Sequence, residues 1–257
     1  MKKKSAIFTI VKDEAYYLDK WLNYYSQFFN KEDIYILDHQ TQDGSTDNLN
    51  CNVTKIVNEV AFDHIWLVEQ VQNFQQTLLE QYEVVIFTEV DEILYTLNQS
   101  FDSFVEDFRN NNNLQYLSAI GYEIKQNIET EKTLNKEDNI IKNRNFWFRY
   151  PNYDKTLITK IPLYYGVGFH DCQYPKIQSN LFLLHLHRVD LNLMIERRQK
   201  RATTWNLKQD DIARGWGTYH QDGEIEKIKS HFDHYHNGVP IIVEPIPQEH
   251  KDSIYGL

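Results

Sequence analysis

The stretch Glu83-Val84-Val85-Ile86-Phe87-Thr88-Glu89-Val90-Asp91-Glu92 constrains this chain more than any other. Val84 to Phe87 is a continuous apolar run, β-branched at three of its four positions. Such a run suits an interior strand of a parallel sheet, covered on both faces. Polarity then reverses at once. Glu89 and Asp91 are two apart, so on extended backbone their side chains leave the same face. Open α/β sheets bind ligands beyond the carboxyl ends of their strands. Clustered carboxylates repel unless a cation or a shared proton offsets them. A hard divalent ion, Mn2+ or Mg2+, bound beside phosphates is one such cation. The plainer alternative is a solvated loop, with Glu92 opening a helix.

The flanking sequence builds an α/β chain around that strand. Ala6 to Val11 reads as the first strand, broken by Lys12-Asp13-Glu14. Leu18, Trp21, Leu22, Tyr25 and Phe28 then recur at three and four, which predicts a helix over 15–28 with Asp13 as its N-cap. Ile34 to Leu37 follows as a second strand and completes a βαβ unit. The loop after it, 38–47, is polar and carries an Asp-Gly turn signal. Phe62 to Gln81 reads as a long helix leading into the organising strand. Further on, the pattern gives a short helix over 101–108 and a strand over 114–120. Residues 127–143 read as an exposed lid or insertion, and 156–161 as an edge strand ended by Pro162. A strand over 181–184 runs into His185-Leu186-His187. The expected architecture is α/β, a mostly parallel central sheet flanked by helices, over 1–208. A helical and irregular C-terminal appendage, 209–257, packs on it. There, His231, His234 and His236 have metal-like spacing within a charged amphipathic tail.

Charge adds one contrast. The chain carries a formal net charge of -10, which argues against indiscriminate nucleic-acid binding. Yet 190–208, a predicted helix, holds Arg197, Arg198, Lys200 and Arg201. A local reversal of that kind faces a diphosphate, an anionic acceptor or a membrane surface, or it is a solvated helix face. Two cysteines, Cys51 and Cys172, do not make a disulfide scaffold and fit a reducing cytosol. With no apolar run of eighteen residues there is no spanning helix, so a cytoplasmic location is expected, with peripheral membrane contact left open. Oligomeric state is not specified by any of these features. The first strand lacks a Gly-x-Gly-x-x-Gly turn, against a dinucleotide oxidoreductase, and no Gly-Lys-Ser/Thr follows a strand, against a P-loop.

Three features coincide in order. They are Thr9-Ile10-Val11-Lys12-Asp13-Glu14 with Leu18-Asp19-Lys20-Trp21-Leu22, Asp43-Gly44-Ser45-Thr46-Asp47, and Glu89-Val90-Asp91-Glu92. Together they resemble the family 2-like glycosyltransferases with the GT-A fold, in particular the subgroup with an Asp-x-Asp-Glu-Phe-like motif. The resemblance covers roughly 5–201. It departs where Glu89 stands for the usual Asp, where Ile93 stands for an aromatic, and where extra residues separate Asp38 from Asp43.

The resemblance implies a metal-dependent, inverting transfer of a sugar from a nucleotide-diphosphate donor to a glycan or lipid-linked acceptor. On it, Thr9, Val11 and Glu14 border the nucleotide, and Asp38 or Asp43 meets base or ribose. Asp91 binds the Mn2+ or Mg2+, and Glu89 binds ribose, donor sugar or metal-bound water. His185, or alternatively His187, is a late metal ligand, and Lys155 or Lys160 helps neutralise the diphosphate. Inversion needs one general base opposite the diphosphate. Asp171 ranks first, after a Gly-rich approach, followed by His170 and Glu123. Trp147 and Tyr150 could stack on a sugar or pack in the core. Two other classes compete: a catalytically inactive carbohydrate-binding or scaffold protein on the same fold, and a nucleotidyltransferase, which needs a third carboxylate for a second metal.

Overall fold

A computed structural model describes residues 2–59, 62–235, 238–254 and 256–257. The first half alternates β1 (Lys3–Val11), α1 (Ala15–Tyr25), β2 (Ile34–His39), β3 (Asn52–Ile56), α2 (His64–Gln81) and β4 (Tyr82–Phe87). β1 lies between β2 and β4, parallel to both, with Ile7 level with Ile34 on one side and Ile86 on the other. That position explains the unbroken apolar runs. Ile7, Phe8, Val85 and Ile86 lose all contact with solvent, because α1, α2 and α3 (Phe101–Asn110) cover the faces of the strands. Asp63 caps α2 by accepting from the Ile65 and Trp66 amides. On α1 the stripe reaches inward as far as Trp21, whose indole donates to Thr88 Oγ1 at 2.7 Å. This bond ties the helix to the end of β4.

The second half is where expectation and structure part. β5 (Glu92–Thr96), β6 (Tyr116–Lys125), β7 (Phe146–Arg149), β8 (Thr156–Thr159) and β9 (Gln178–Arg188) join the same sheet. Among the described residues, four of its pairings are parallel and five antiparallel. The sheet is therefore mixed rather than mostly parallel. β7 and β8 both run antiparallel to β6, one on each side of it. Glu92 opens β5, not a helix, and β5 pairs with β9. β8 sits inside the sheet between β4 and β6 rather than at an edge. Pro162 lies beyond its end and removes no ladder donor.

Two other segments are more integrated than their composition suggests. Within 127–143, which ends in the one-turn α4 (Ile140–Asn143), Leu134, Ile140 and Ile141 are buried. Arg144 clamps that segment to Asp190 at 2.9 Å, and Lys20 Nζ donates to the carbonyls of Lys136 and Asp138. After α5 (Leu191–Thr204) come α6 (Gln209–Ala213), α7 (Ile225–Asp233) and the small ribbon β10 (His234–Tyr235) with β11 (Val239–Pro240). Then β12 (Glu244–Pro245) adds to the main sheet beside β7, and α8 (Gln248–Ser253) buries His250 against Tyr95, with Nδ1 2.8 Å from the phenol oxygen. No described helix is long and apolar enough to cross a membrane.

Candidate functional site

The carboxyl ends of β1 and β4 open into a cavity of about 610 Å³. The β4–β5 turn presents Glu89 and Asp91 there. Glu92 fastens that turn twice, through its amide to the Glu89 carbonyl at 3.0 Å and through its carboxylate to the Glu89 amide at 2.9 Å. The Leu186 amide donates to the Asp91 carbonyl at 2.9 Å. Strand register does the rest. His185 on β9 is level with Glu92 on β5 and with Glu123 on β6. Glu123 is buried and accepts from His185 Nδ1 at 2.8 Å and from the Arg188 amide at 2.8 Å. His185 Nε2 therefore faces Asp91 Oδ2, 3.8 Å away.

The basic helix is turned inward. Asp190 caps α5, and Arg197 and Arg201, one turn apart, share its buried face. Arg197 Nη1 donates to Asp91, and Nε lies 2.8 Å from the Glu14 carboxylate. Arg201 Nη2 donates to Glu14 at 2.5 Å. Glu14 reaches them because Asp13 adopts a left-handed backbone, φ 58°. Asp13 does not cap α1 with its side chain. It instead accepts from the amides of Gln42 and Asp43 across the loop after β2.

Every carboxylate on the wall thus has a protein cation. Burial alone would raise the Asp91 carboxyl, but Arg197, His185 and Arg201 hold it well below the usual carboxylate range. Burial also opposes charge on His185, yet Glu123 and Asp91 push it up to about 8. Lys155 is buried with its ammonium 2.5 Å from Glu89 and 2.6 Å from Glu92. Those two carboxylates overcome its burial and hold it charged, above the ordinary lysine range.

The cavity's other residues form two contact sets joined through α5. Toward the polar side, the Tyr153 ring stacks on His185 at 4.3 Å and lies 6.2 Å from His170. His170 Nδ1 donates to the Asn152 carbonyl at 2.8 Å, which leaves Nε2 as an acceptor. Burial, then Lys155, push it down to about 4, so it is neutral at physiological pH. Gly168 (φ 79°) permits that placement, since a Cβ there would lie 2.9 Å from His170 Cδ2. Toward the apolar side, Phe62 and Trp205 stack at 4.1 Å, and Trp205 lies under the Arg201 guanidinium at 4.5 Å. His39 stands beside Phe62, pushed down to about 4 by burial. The C-terminal segment closes this side with Gly215, Trp216, Gly217 and Tyr219. Gly217 (φ 67°) leaves room for His64, which would meet a Cβ at 2.6 Å.

The cavity gathers Val11, Glu14, Glu89, Asp91, Lys155, His170, His185 and His187 from the sequence-predicted set. The others lie elsewhere. Thr9 is buried within β1. Asp38 folds its own loop by accepting from the Thr41 amide and the Thr46 hydroxyl, and Asp43 pairs with Lys200 at 3.1 Å. Lys160 donates to the Asn111 carbonyl, beyond the opposite end of β8. The Asp171 side chain is 78% exposed and paired with Lys176, outside the cavity wall. Glu123 stands behind His185 and orients it. Trp147 is core, stacked on Tyr122 at 4.0 Å. His231 joins the cavity wall and bonds to Arg198, His234 bonds to the Ser230 carbonyl, and His236 lies outside the described residues. Sequence reasoning did not single out Lys12, Tyr153, Trp205 or Tyr219, all on the wall.

The pair that could share a Mn2+ or Mg2+ ion is Asp91 and His185, whose Nε2 would first have to give up its proton. Metal-bound imidazoles are held from behind by a carboxylate, as Glu123 holds His185. Ions of this kind take one or two protein ligands and complete their shell with phosphate oxygens and water. Among the described residues, no group of three or more His, Cys, Asp or Glu could hold a metal by itself. Glu89 is engaged by Lys155, and His187 Nδ1 lies 3.5 Å from Arg197 Nη1.

No protein-family model matches the chain, and no curated protein does. Among solved structures it is similar to the WbbM bifunctional glycosyltransferase in its apo form, at 12% identity and a TM-score of 0.27, over 50% of this chain and 24% of that one. It is also similar to mannose-1-phosphate geranyltransferase from Thermus thermophilus, at 9% identity and a TM-score of 0.31, over 94% and 69% of the two chains. This chain spans about a quarter of the first protein.

Proposed function

We propose that this chain is a metal-dependent inverting glycosyltransferase that moves a sugar from a nucleotide-diphosphate donor to a glycan or lipid-linked acceptor. One observation carries the reading: Asp91, the Glu123-held His185 and the inward guanidinia of Arg197 and Arg201 converge beyond the carboxyl ends of β1 and β4. That combination matches the parts of a metal-bound diphosphate. The aromatic side, with Phe62 and Trp205, offers a surface for the base, and Glu89 faces ribose or donor sugar.

A divalent Mn2+ or Mg2+ held by Asp91 and His185 would neutralise charge on the leaving nucleoside diphosphate. Arg197 and Arg201, held by Asp91 and Glu14 and largely shielded from water, would carry part of the same load. His170 is the base. Its Nε2 takes the proton of the acceptor hydroxyl as that oxygen bonds the anomeric carbon. The bond from that carbon to the phosphate oxygen breaks, and its electron pair leaves with the diphosphate. A nucleotidyltransferase is less favoured, because no third carboxylate stands beside Asp91 to hold a second metal among the described residues.

The test is calorimetric titration with UDP, GDP and dTDP, each with Mn2+ and with EDTA. One nucleotide is expected to bind with metal only. If none binds, the donor reading fails and a sugar-binding scaffold takes its place. His170→Gln is expected to slow transfer roughly hundredfold while donor affinity stays within about twofold, because a base acts in the transition state. Transfer at the wild-type rate would remove His170 from this role.

A further inference from the structure

Arg197 occupies the carboxylate that the metal needs. Its guanidinium donates to Asp91 and Glu14, lies 4.3 Å from the centre of the Tyr17 ring, and is buried. A free divalent ion approaching Asp91 must either displace this cation or bind beside it. Like charges a few ångströms apart in a shielded site repel strongly, and more so for a dication. Moved off Asp91 with nothing to receive it, Arg197 would keep only Glu14, a carboxylate it already shares with Arg201.

A diphosphate changes both terms. Its oxygens match the planar fork of a guanidinium. Arg197 can then move from Asp91 to the phosphate and leave the carboxylate to the metal. Glu14 is not stranded by the move, because Arg201 keeps its own contact with it at 2.5 Å. The motion is confined to a side chain, since Met194 anchors α5 against Ile228 and Phe232 of α7.

We infer that Arg197 couples metal binding to diphosphate binding: it closes Asp91 to a free divalent cation and opens it when a diphosphate accepts the guanidinium. This rests on the donor reading above and adds a rule of assembly to it. By linkage, whatever the diphosphate does for metal affinity, the metal does for diphosphate affinity.

The measurement is Mn2+ binding by the full chain, read from the free-ion electron paramagnetic resonance signal. Wild type is compared with Arg197→Gln, each alone and with UDP, GDP or dTDP, with Mn2+–nucleotide complexation subtracted. In the absence of nucleotide, Arg197→Gln is expected to bind Mn2+ about tenfold more tightly than wild type, because Asp91 is released. With nucleotide, the same variant is expected to bind the pair about tenfold more weakly, having lost the phosphate contact. Opposite signs are the signature; a simply damaged site would weaken both. Equal Mn2+ affinity in wild type and variant without nucleotide overturns the coupling. Should the variant not fold by thermal melting, wild type alone decides. Mn2+ bound as tightly without pyrophosphate as with it, after the same subtraction, overturns the proposal, and strengthening by pyrophosphate supports it. If no nucleotide binds under any condition the donor reading falls, while the metal-only comparison still reads whether Arg197 closes Asp91 and the pyrophosphate arm still reads the coupling.

Discussion

Asp91→Asn is expected to abolish metal-dependent nucleotide binding and to slow sugar transfer roughly a thousandfold, with the fold intact. The substitution keeps the shape of the side chain and removes its charge. The backbone at this position is fixed independently, by the Leu186 amide on the Asp91 carbonyl and by the double fastening of the 89–92 turn. Arg197 keeps Glu14 as a partner, so the variant does not leave a guanidinium without a carboxylate. What disappears is the carboxylate charge facing His185 Nε2. Titration with Mn2+ and the nucleotide that binds wild type checks the first claim, and a thermal melt checks the second. An unchanged titration in a folded variant would remove Asp91 from the metal.

The centre of this arrangement was legible in the sequence because it is local. A β-branched run followed by carboxylates gives β4 and puts Glu89 and Asp91 just beyond its end, while a turn over 89–92 stands where extended backbone or a helix start was expected. The two imidazoles after 181–184 are of the same kind, since strand periodicity alone puts His185 and His187 on one face. Residues brought in by register were harder to assign. The resemblance makes Glu123 a candidate base, and only the pairing of β6 with β9 makes it the carboxylate behind His185. Asp171 fails for the opposite reason. Its Gly-rich approach does bend the chain to the cavity, but it delivers His170 and turns Asp171 toward Lys176. The basic helix was visible as a charge reversal, yet which way it faced depended on Glu14 and Asp91, more than a hundred residues away. Tyr153, Trp205 and Tyr219 left no periodic trace, because each sits just outside a regular element or in a single 3₁₀ turn.

Lys155→Met is expected to destabilise the chain by about 3–5 kcal/mol at pH 8, the cost of leaving a buried carboxylate without its partner. Lys155 and Glu92 are both fully enclosed, with Lys155 Nζ and Glu92 Oε1 2.6 Å apart. Burial already raises the Glu92 carboxyl above its ordinary value even with the ammonium beside it. Without the ammonium, burial and the neighbouring Glu89 raise it further. A carboxyl raised in the folded state binds protons that the unfolded chain does not, so stability falls as pH rises through the interval between the two values. The penalty in the variant should therefore shrink as pH is lowered from 8 toward 5, because Glu92 takes up a proton and ceases to be a buried charge. Adding Glu92→Gln should recover most of the loss at pH 8, since the amide keeps an oxygen for the Glu89 backbone N–H without the charge. Denaturant melts of the single and double variants at pH 8 and pH 5.5 decide the matter. A penalty independent of pH, with no recovery in the double variant, would mean that Lys155 stabilises by packing and that the Glu89–Lys155–Glu92 cluster is not the electrostatic seat of the turn that presents Asp91.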